Sequence, residues 1–224
     1  MNCPTGEREK NLGKNTMEII KGIKLKGYPA EIPNCSRDDL PQFFLDMGFK
    51  KGVEIGTYKG KFTKKFAEKG LEIYGIDPYK PYSDFDIVVD NRTERQNELF
   101  NMATEILKPY ENAKIIRKMS MEALEDFEDE SLDFVYIDGN HRFKWVAEDI
   151  YEWSKKVKKG GVVSGHDYIH PKRLRNRWDS LQVKFIVDAY LQAFRIKNWY
   201  LLGEQDAPAG DRRDRFRSWM WIKK

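Results

Sequence analysis

From about residue 50 onward, short runs of β-branched and apolar residues alternate with segments whose apolar positions recur every three to four residues. Runs of the first kind read as strands and segments of the second as helices, and their alternation predicts a parallel sheet with helical crossovers. Strands are expected over 51–56, 71–77, 113–117, 132–138 and 160–165, with helices over 62–69, 92–108 and 144–156. Trp145, Ile150 and Trp153 lie on the last of these at helical spacing, and Gly160–Gly161 is expected to stop it. Further on, 181–194 reads as a helix, and 198–202 and 216–222 as an antiparallel closing pair around a polar loop. Before residue 50 the signal is weak apart from a helix over 16–24. The reading is therefore a cap or tail over 1–49 and one domain over 50–224.

In an open α/β sheet ligands bind outside the carboxyl ends of the strands, so the residues just after each strand carry the chemistry. After the first strand comes the turn Glu54-Ile55-Gly56-Thr57-Tyr58-Lys59-Gly60. Gly56 permits a tight bend and close approach to a ligand, and Gly60 opens a helix whose first amides are free. One glycine after a strand also serves as a plain structural turn. Asp77, at the end of the next strand and 21 residues beyond Gly56, stands at the spacing from which a carboxylate accepts both ribose hydroxyls of an adenosine. A dinucleotide's pyrophosphate calls for the GxGxxG run, which this turn lacks. Glu54 would also repel phosphate, whereas it suits the amino-acid end of a cationic, phosphate-free cofactor. S-adenosylmethionine is such a cofactor, and a nicotinamide cofactor is the lesser alternative.

Composition narrows the field without deciding it. In 224 residues, 40% hydrophobic and 34% charged describe a globular chain with a very polar surface. No run approaches the ~20 apolar residues of a membrane span, and no signal-peptide core is present, so a cytoplasmic protein without a membrane partner is expected. Cys3 and Cys35 are read as free thiols. The net charge of +4 allows an anionic ligand and does not require nucleic acid.

The segments 53–63 (VEIGTYKGKFT), 74–79 (YGIDPY), 134–141 (FVYIDGNH), 146–150 (VAEDI) and 158–168 (KKGGVVSGHDY) together resemble the class I S-adenosylmethionine-dependent methyltransferases. The nearest subgroup is the small O-methyltransferases of the macrocin and catechol type. The resemblance spans about residues 50–195. It implies a Rossmann-like, doubly wound sheet of seven strands, mostly parallel with an antiparallel C-terminal strand. It also implies that Glu54, Gly56, Thr57, Tyr58, Gly60, Asp77, Pro78 and Asp138 bind the cofactor, and that Ser120 and Met121 flank the adenine.

Asp138 ends the fourth strand, His141 follows three residues later, and His166 and Asp167 end the fifth. Methyl transfer needs an acceptor aligned with the activated methyl group and a base for its proton. His141 is the candidate base, with Asp138 and Asp167 placing the acceptor. Acids and a histidine at neighbouring strand ends also suit a divalent cation, Mg2+ or another, with Asp138, His166 and Asp167 as ligands. In macrocin-type enzymes an Asp-x-x-His motif supplies a metal ligand and a base, and Asp138-Gly139-Asn140-His141 has that spacing. The later motif there is an acidic pair, and here it reads His166–Asp167; magnesium binds imidazole poorly. Each residue has a structural alternative: a loop cap for Asp138, an exposed loop histidine for His141, a strand-end histidine bonded to a carbonyl for His166, and core packing for Trp145 and Trp153.

The expected acceptor is a hydroxyl on a small molecule or sugar. An anionic group on it is an option, because the basic stretch 171–177 follows the proposed centre. The alternating charges of 211–217 read as surface, and the aromatic loop 79–85 as part of a lid. A nucleic-acid methyltransferase, or a non-catalytic binding module on the same fold, remain as alternatives, and a homo-oligomer is open.

Overall fold

A computed structural model describes residues 16–25, 27–81, 92–174, 181–208, 211 and 213–224. Residues 16–22 are helical. Strand β1 (Ala30–Ile32) and helix α1 (Leu40–Asp46) follow, and then the alternating core. That core runs β2 (Lys51–Ile55), α2 (Lys61–Glu68), β3 (Glu72–Ile76), α3 (Thr93–Leu107), β4 (Ala113–Ile116), the short α4 (Ser120–Ala123), β5 (Leu132–Ile137), α5 (Phe143–Lys156), β6 (Val157–Gly165), α6 (Val183–Ala193), β7 (Trp199–Leu202) and β8 (Ser218–Ile222). One sheet holds them in the order β1-β7-β8-β6-β5-β2-β3-β4, with β8 antiparallel to both β6 and β7 and the remaining pairs parallel.

Among the described residues the sheet thus has eight strands, one more than the seven expected. The extra strand is β1, which extends the edge by pairing Ala30, Glu31 and Ile32 in parallel with Tyr200, Leu201 and Leu202. Three residues are too short for a periodicity signal, and the edge partner lies far along the chain. The segment read as a cap or tail therefore supplies a strand, and its Leu40, Phe43 and Phe44 are fully buried. A second correction concerns α5, which ends at Lys156, before the glycine pair. Val157 already pairs with Leu132, so Gly160 and Gly161 lie within β6.

β5 shows why the middle strands are central: all six residues are buried. Val135 and Ile137 face α5 and α6, packing with Val146, Ile150, Trp153, Ile186 and Val187. Phe134 and Tyr136 face the opposite layer, where Phe43, Phe44 and Phe66 of α1 and α2 meet them. The Phe44 and Phe134 ring centroids are 4.4 Å apart. Trp153 is fully buried, as core packing predicts, and Phe134→Ala in this cluster is expected to cost about 3–5 kcal/mol.

The strand order reverses between β2 and β5. Their carboxyl ends, at Ile55–Gly56 and Ile137–Asp138, bound the crevice in which doubly wound sheets bind ligands.

Candidate active site

At the crevice the chain turns sharply at Gly56, whose φ is 92° and whose N–H donates to the Ile76 carbonyl at 2.8 Å. A Cβ there would stand 2.2 Å from the carbonyl oxygen of Asp138. Only glycine lets the β2 and β5 loops touch at this point. Gly60, at φ 73°, closes the turn with an N–H bond of 2.8 Å to the Thr57 carbonyl and opens α2.

Asp77 faces this turn from the end of β3. One carboxylate oxygen accepts the Tyr58 N–H at 2.9 Å and the other accepts the Tyr79 N–H at 3.1 Å. Burial pushes its carboxyl above the usual range, and the two amide bonds oppose that. Tyr79 is buried against Leu99 and Ala103, and its carbonyl accepts from Arg117 at 2.8 Å. Arg117 also donates to Asn97 at 2.6 Å and lies 4.7 Å from the Phe100 ring centroid, so β4 braces the loop that carries Asp77. Pro78 lies between Asp77 and Tyr79 in that loop.

Glu54 and Thr57 are both buried beneath the turn. Glu54 accepts from the Thr63 hydroxyl of α2, and burial lifts its pKa to about 8, so at neutral pH the carboxyl is mostly protonated. Ser120 opens α4 just after β4. Its hydroxyl donates to the buried Asp149 of α5 and accepts the Trp153 indole N–H at 2.7 Å. Burial raises Asp149 to about 7. Met121 packs on the core beside Ser120.

One strand further along, Asp138, His141, His166 and Asp167 converge. His141 Nε2 lies 2.9 Å from Asp167 Oδ2 and 3.9 Å from Asp138 Oδ1. His166 Nδ1 lies 3.5 Å from Asp167 Oδ1 and 3.9 Å from Asp138 Oδ1. Its Nε2 is 3.7 Å from Asp214 Oδ2, in the loop between β7 and β8. Burial alone would strip His166 of its charge, but Asp167, Asp138 and Asp214 overcome it and hold the pKa up at about 10. Burial likewise opposes ionisation of Asp167, yet His166 and His141 keep it well below the usual carboxylate range. Asp167 itself has φ 59°, a left-handed backbone rare outside glycine and concentrated at functional turns.

Ligand atoms of Asp138, His141 and Asp167 all lie within 4.8 Å of one another, a spacing that suits a single cation. The donor set brought together is these three, with His141 in the place the sequence reading gave to His166. His166 stands beside them as a buried cation among carboxylates.

Sequence reasoning missed three contributors. Arg37 Nη1 is 2.9 Å from Asp138 Oδ2, and the Arg37 N–H donates to Asp214 Oδ2 at 2.6 Å. Gln182, capping α6, donates its N–H to the His141 carbonyl at 2.9 Å, and its side-chain oxygen accepts the Phe143 N–H at 2.6 Å. Arg37 lies in a weakly patterned segment and Gln182 at the start of a helix that only its apolar positions announced, while Asp214 corrects the reading of 211–217 as surface, since its side chain is largely buried beside His166. Residues 82–85 of the expected lid loop and 175–177 of the basic stretch lie outside the described residues, as does Cys3. Cys35 is a buried thiol that donates to the Ile32 carbonyl.

A family model described as a methyltransferase domain matches residues 53–168, more than half of the chain and the stretch from β2 to the end of β6. The chain belongs to that family. This methyltransferase domain superposes on an O-methyltransferase from Bacillus cereus, solved in complex with S-adenosylhomocysteine, with a TM-score of 0.58 at 12% identity, covering 96% of this chain and 91% of the other. TomG from Streptomyces achromogenes, an O-methyltransferase of tomaymycin synthesis solved with S-adenosylmethionine, gives 0.56 at 11% identity over 96% and 90%. NodS, an N-methyltransferase from Bradyrhizobium japonicum, gives 0.50 at 12% identity over 97% and 96%. Such identities establish a shared fold. By sequence, 55 residues are 38% identical to the uncharacterized protein y4gI of Sinorhizobium fredii. That match spans 25% of this chain and 6% of that protein. Among the described residues of the methyltransferase, no helix is long and apolar enough to cross a membrane.

Proposed function

We propose that this methyltransferase carries the methyl group of S-adenosylmethionine to a hydroxyl on a small molecule or sugar. The observation that supports this most is a juxtaposition. The Gly56 turn, facing the Asp77 carboxylate, touches the Asp138 backbone directly, so an adenosine site and an acid–histidine cluster share one crevice. In this reading Asp77 accepts the ribose hydroxyls, Thr57, Tyr58, Gly60 and Pro78 line the cofactor, and Ser120 and Met121 flank the adenine. Glu54, protonated and bonded to Thr63, supports the turn from below.

Bound by these residues, S-adenosylmethionine would supply an activated methyl group, and its transfer to the acceptor oxygen would leave the carbon–sulfur electron pair on the sulfur of S-adenosylhomocysteine. His141 takes the hydroxyl proton, and the Asp167 carboxylate 2.9 Å away stabilises the imidazolium that forms. Asp167 and the Oδ1 of Asp138, the oxygen on the side of His141, orient the acceptor, while Asp138 Oδ2 faces Arg37. Two carboxylates and an imidazole fit a borderline divalent cation better than magnesium; with such an ion held by Asp138, His141 and Asp167, His141 would be a ligand instead of the base, and the ion would acidify the acceptor hydroxyl.

Transfer of radiolabelled methyl from S-adenosylmethionine to a panel of catechol, phenol and sugar hydroxyls, with and without Mg2+ or Mn2+, tests the reading. Labelling of a hydroxyl acceptor is expected, falling about 10²–10⁴-fold in His141→Ala. Labelling confined to amines would move the assignment to N-methylation, and labelling of nothing would favour a non-catalytic module.

A further inference from the structure

The cofactor proposed above ends in an amino acid, with one ammonium and one carboxylate, and the ribose at Asp77 together with the adenine beside Ser120 and Met121, after β4, sets which way it lies. With the ribose held at the end of β3, the methionine end reaches across β2 towards β5, the strand order at that point being β5-β2-β3. What waits at the end of β5 is a pair of opposite charges: Arg37 Nη1 stands 2.9 Å from Asp138 Oδ2. Both side chains are partly open, at 35% and 19% exposure.

We infer that Arg37 takes the α-carboxylate of the cofactor's methionine end while Asp138 takes its α-ammonium. This rests on the S-adenosylmethionine reading and adds to it a binding residue from outside the family-matched stretch 53–168. The Arg37–Asp138 pair is a mirror image of an amino-acid zwitterion, so each partner exchanges the other for the ligand's opposite charge, and no unpaired charge is left behind on binding. Arg37 is also held as a positioned group. Its N–H is fixed by Asp214, the adjoining turn by the Ser36 N–H bond to Asp39 at 2.9 Å, and its guanidinium by the face of Phe62, 5.4 Å from the ring centroid. A planar fork of N–H donors so anchored matches a carboxylate in two-point geometry that lysine does not reproduce.

Three ligands separate this role from a purely structural one. S-adenosylhomocysteine carries both charges, its decarboxylated analogue keeps only the ammonium, and 5′-methylthioadenosine has neither. Titrated calorimetrically, the wild-type protein is expected to prefer S-adenosylhomocysteine over the decarboxylated analogue by about tenfold or more. Arg37→Met is expected to lose that preference, with 5′-methylthioadenosine affinity unchanged within twofold; Arg37→Lys recovers part of it. Unchanged methylthioadenosine binding shows that the variant is folded. An Arg37→Met protein that still discriminates against the decarboxylated analogue, or a wild-type protein that never does, overturns the inference while leaving the cofactor reading intact. A wild-type protein that binds none of the three overturns both.

Discussion

Buried acids set the pH response of this protein residue by residue. Asp149, raised to about 7, and Glu54, raised to about 8, both hold a proton in the folded state that an unfolded carboxylate releases near pH 4. Between pH 4 and 7 or 8 the native state therefore binds more protons than the unfolded chain, and each group lowers stability as pH rises. Asp149→Asn keeps an acceptor for Ser120 and removes that slope. Thermal melts at pH 5 and pH 8 are expected to show the variant gaining several degrees on wild type at the higher pH, and a pH-independent gap would contradict the burial argument. At this scale much was legible: Asp77, Asp138 and Asp167 could be named because strand ends are short-range features. Arg37 and Asp214 could not, since they meet across 177 residues with no motif to announce either.

Two elements carry the geometry of the crevice. The β2–α2 turn depends on Gly56, where a side chain would meet both an unfavourable φ and the Asp138 carbonyl. Gly56→Ala is expected to lower the free energy of unfolding by roughly 2–5 kcal/mol, read by urea denaturation. The N-terminus of α6 clamps the His141 loop through both bonds of Gln182. Gln182→Ala keeps the backbone bond to His141 and removes the side-chain bond to the Phe143 N–H; it is expected to leave S-adenosylhomocysteine affinity within twofold of wild type and to slow methyl transfer about 10–100-fold, because a base displaced by a fraction of an ångström loses its alignment. Equal loss of binding and rate would instead mark Gln182 as part of the general fold. Apart from β6, which begins at Val157, three residues before the strand that was expected, the core strands and helices were readable to within a residue or two because burial imposes their periods of 2 and 3.6. β1 was not, being three residues long and stabilised by an edge partner 170 positions away.

At the scale of the whole molecule, the doubly wound order places every candidate functional side chain at one end of the sheet, with helical layers covering both faces. The fold class followed from the alternation of elements, whereas the acceptor did not, since the lids that select it are loops without periodicity. The net charge of +4 is too small to demand a polyanionic partner. Polynucleotide binding, measured at 50 and 200 mM salt, is expected to be weak at both. Tight binding that falls steeply between them would bring the nucleic-acid alternative forward.

The central claim is that Asp77 and the Gly56 turn form an adenosine site, and titration of S-adenosylhomocysteine into wild type and Asp77→Ala tests it most directly. Micromolar binding by the wild-type protein, weakened at least about tenfold in Asp77→Ala, is the predicted result. Equal binding by the two proteins would contradict the placement of the ribose at β3, and no binding by either would contradict the cofactor itself.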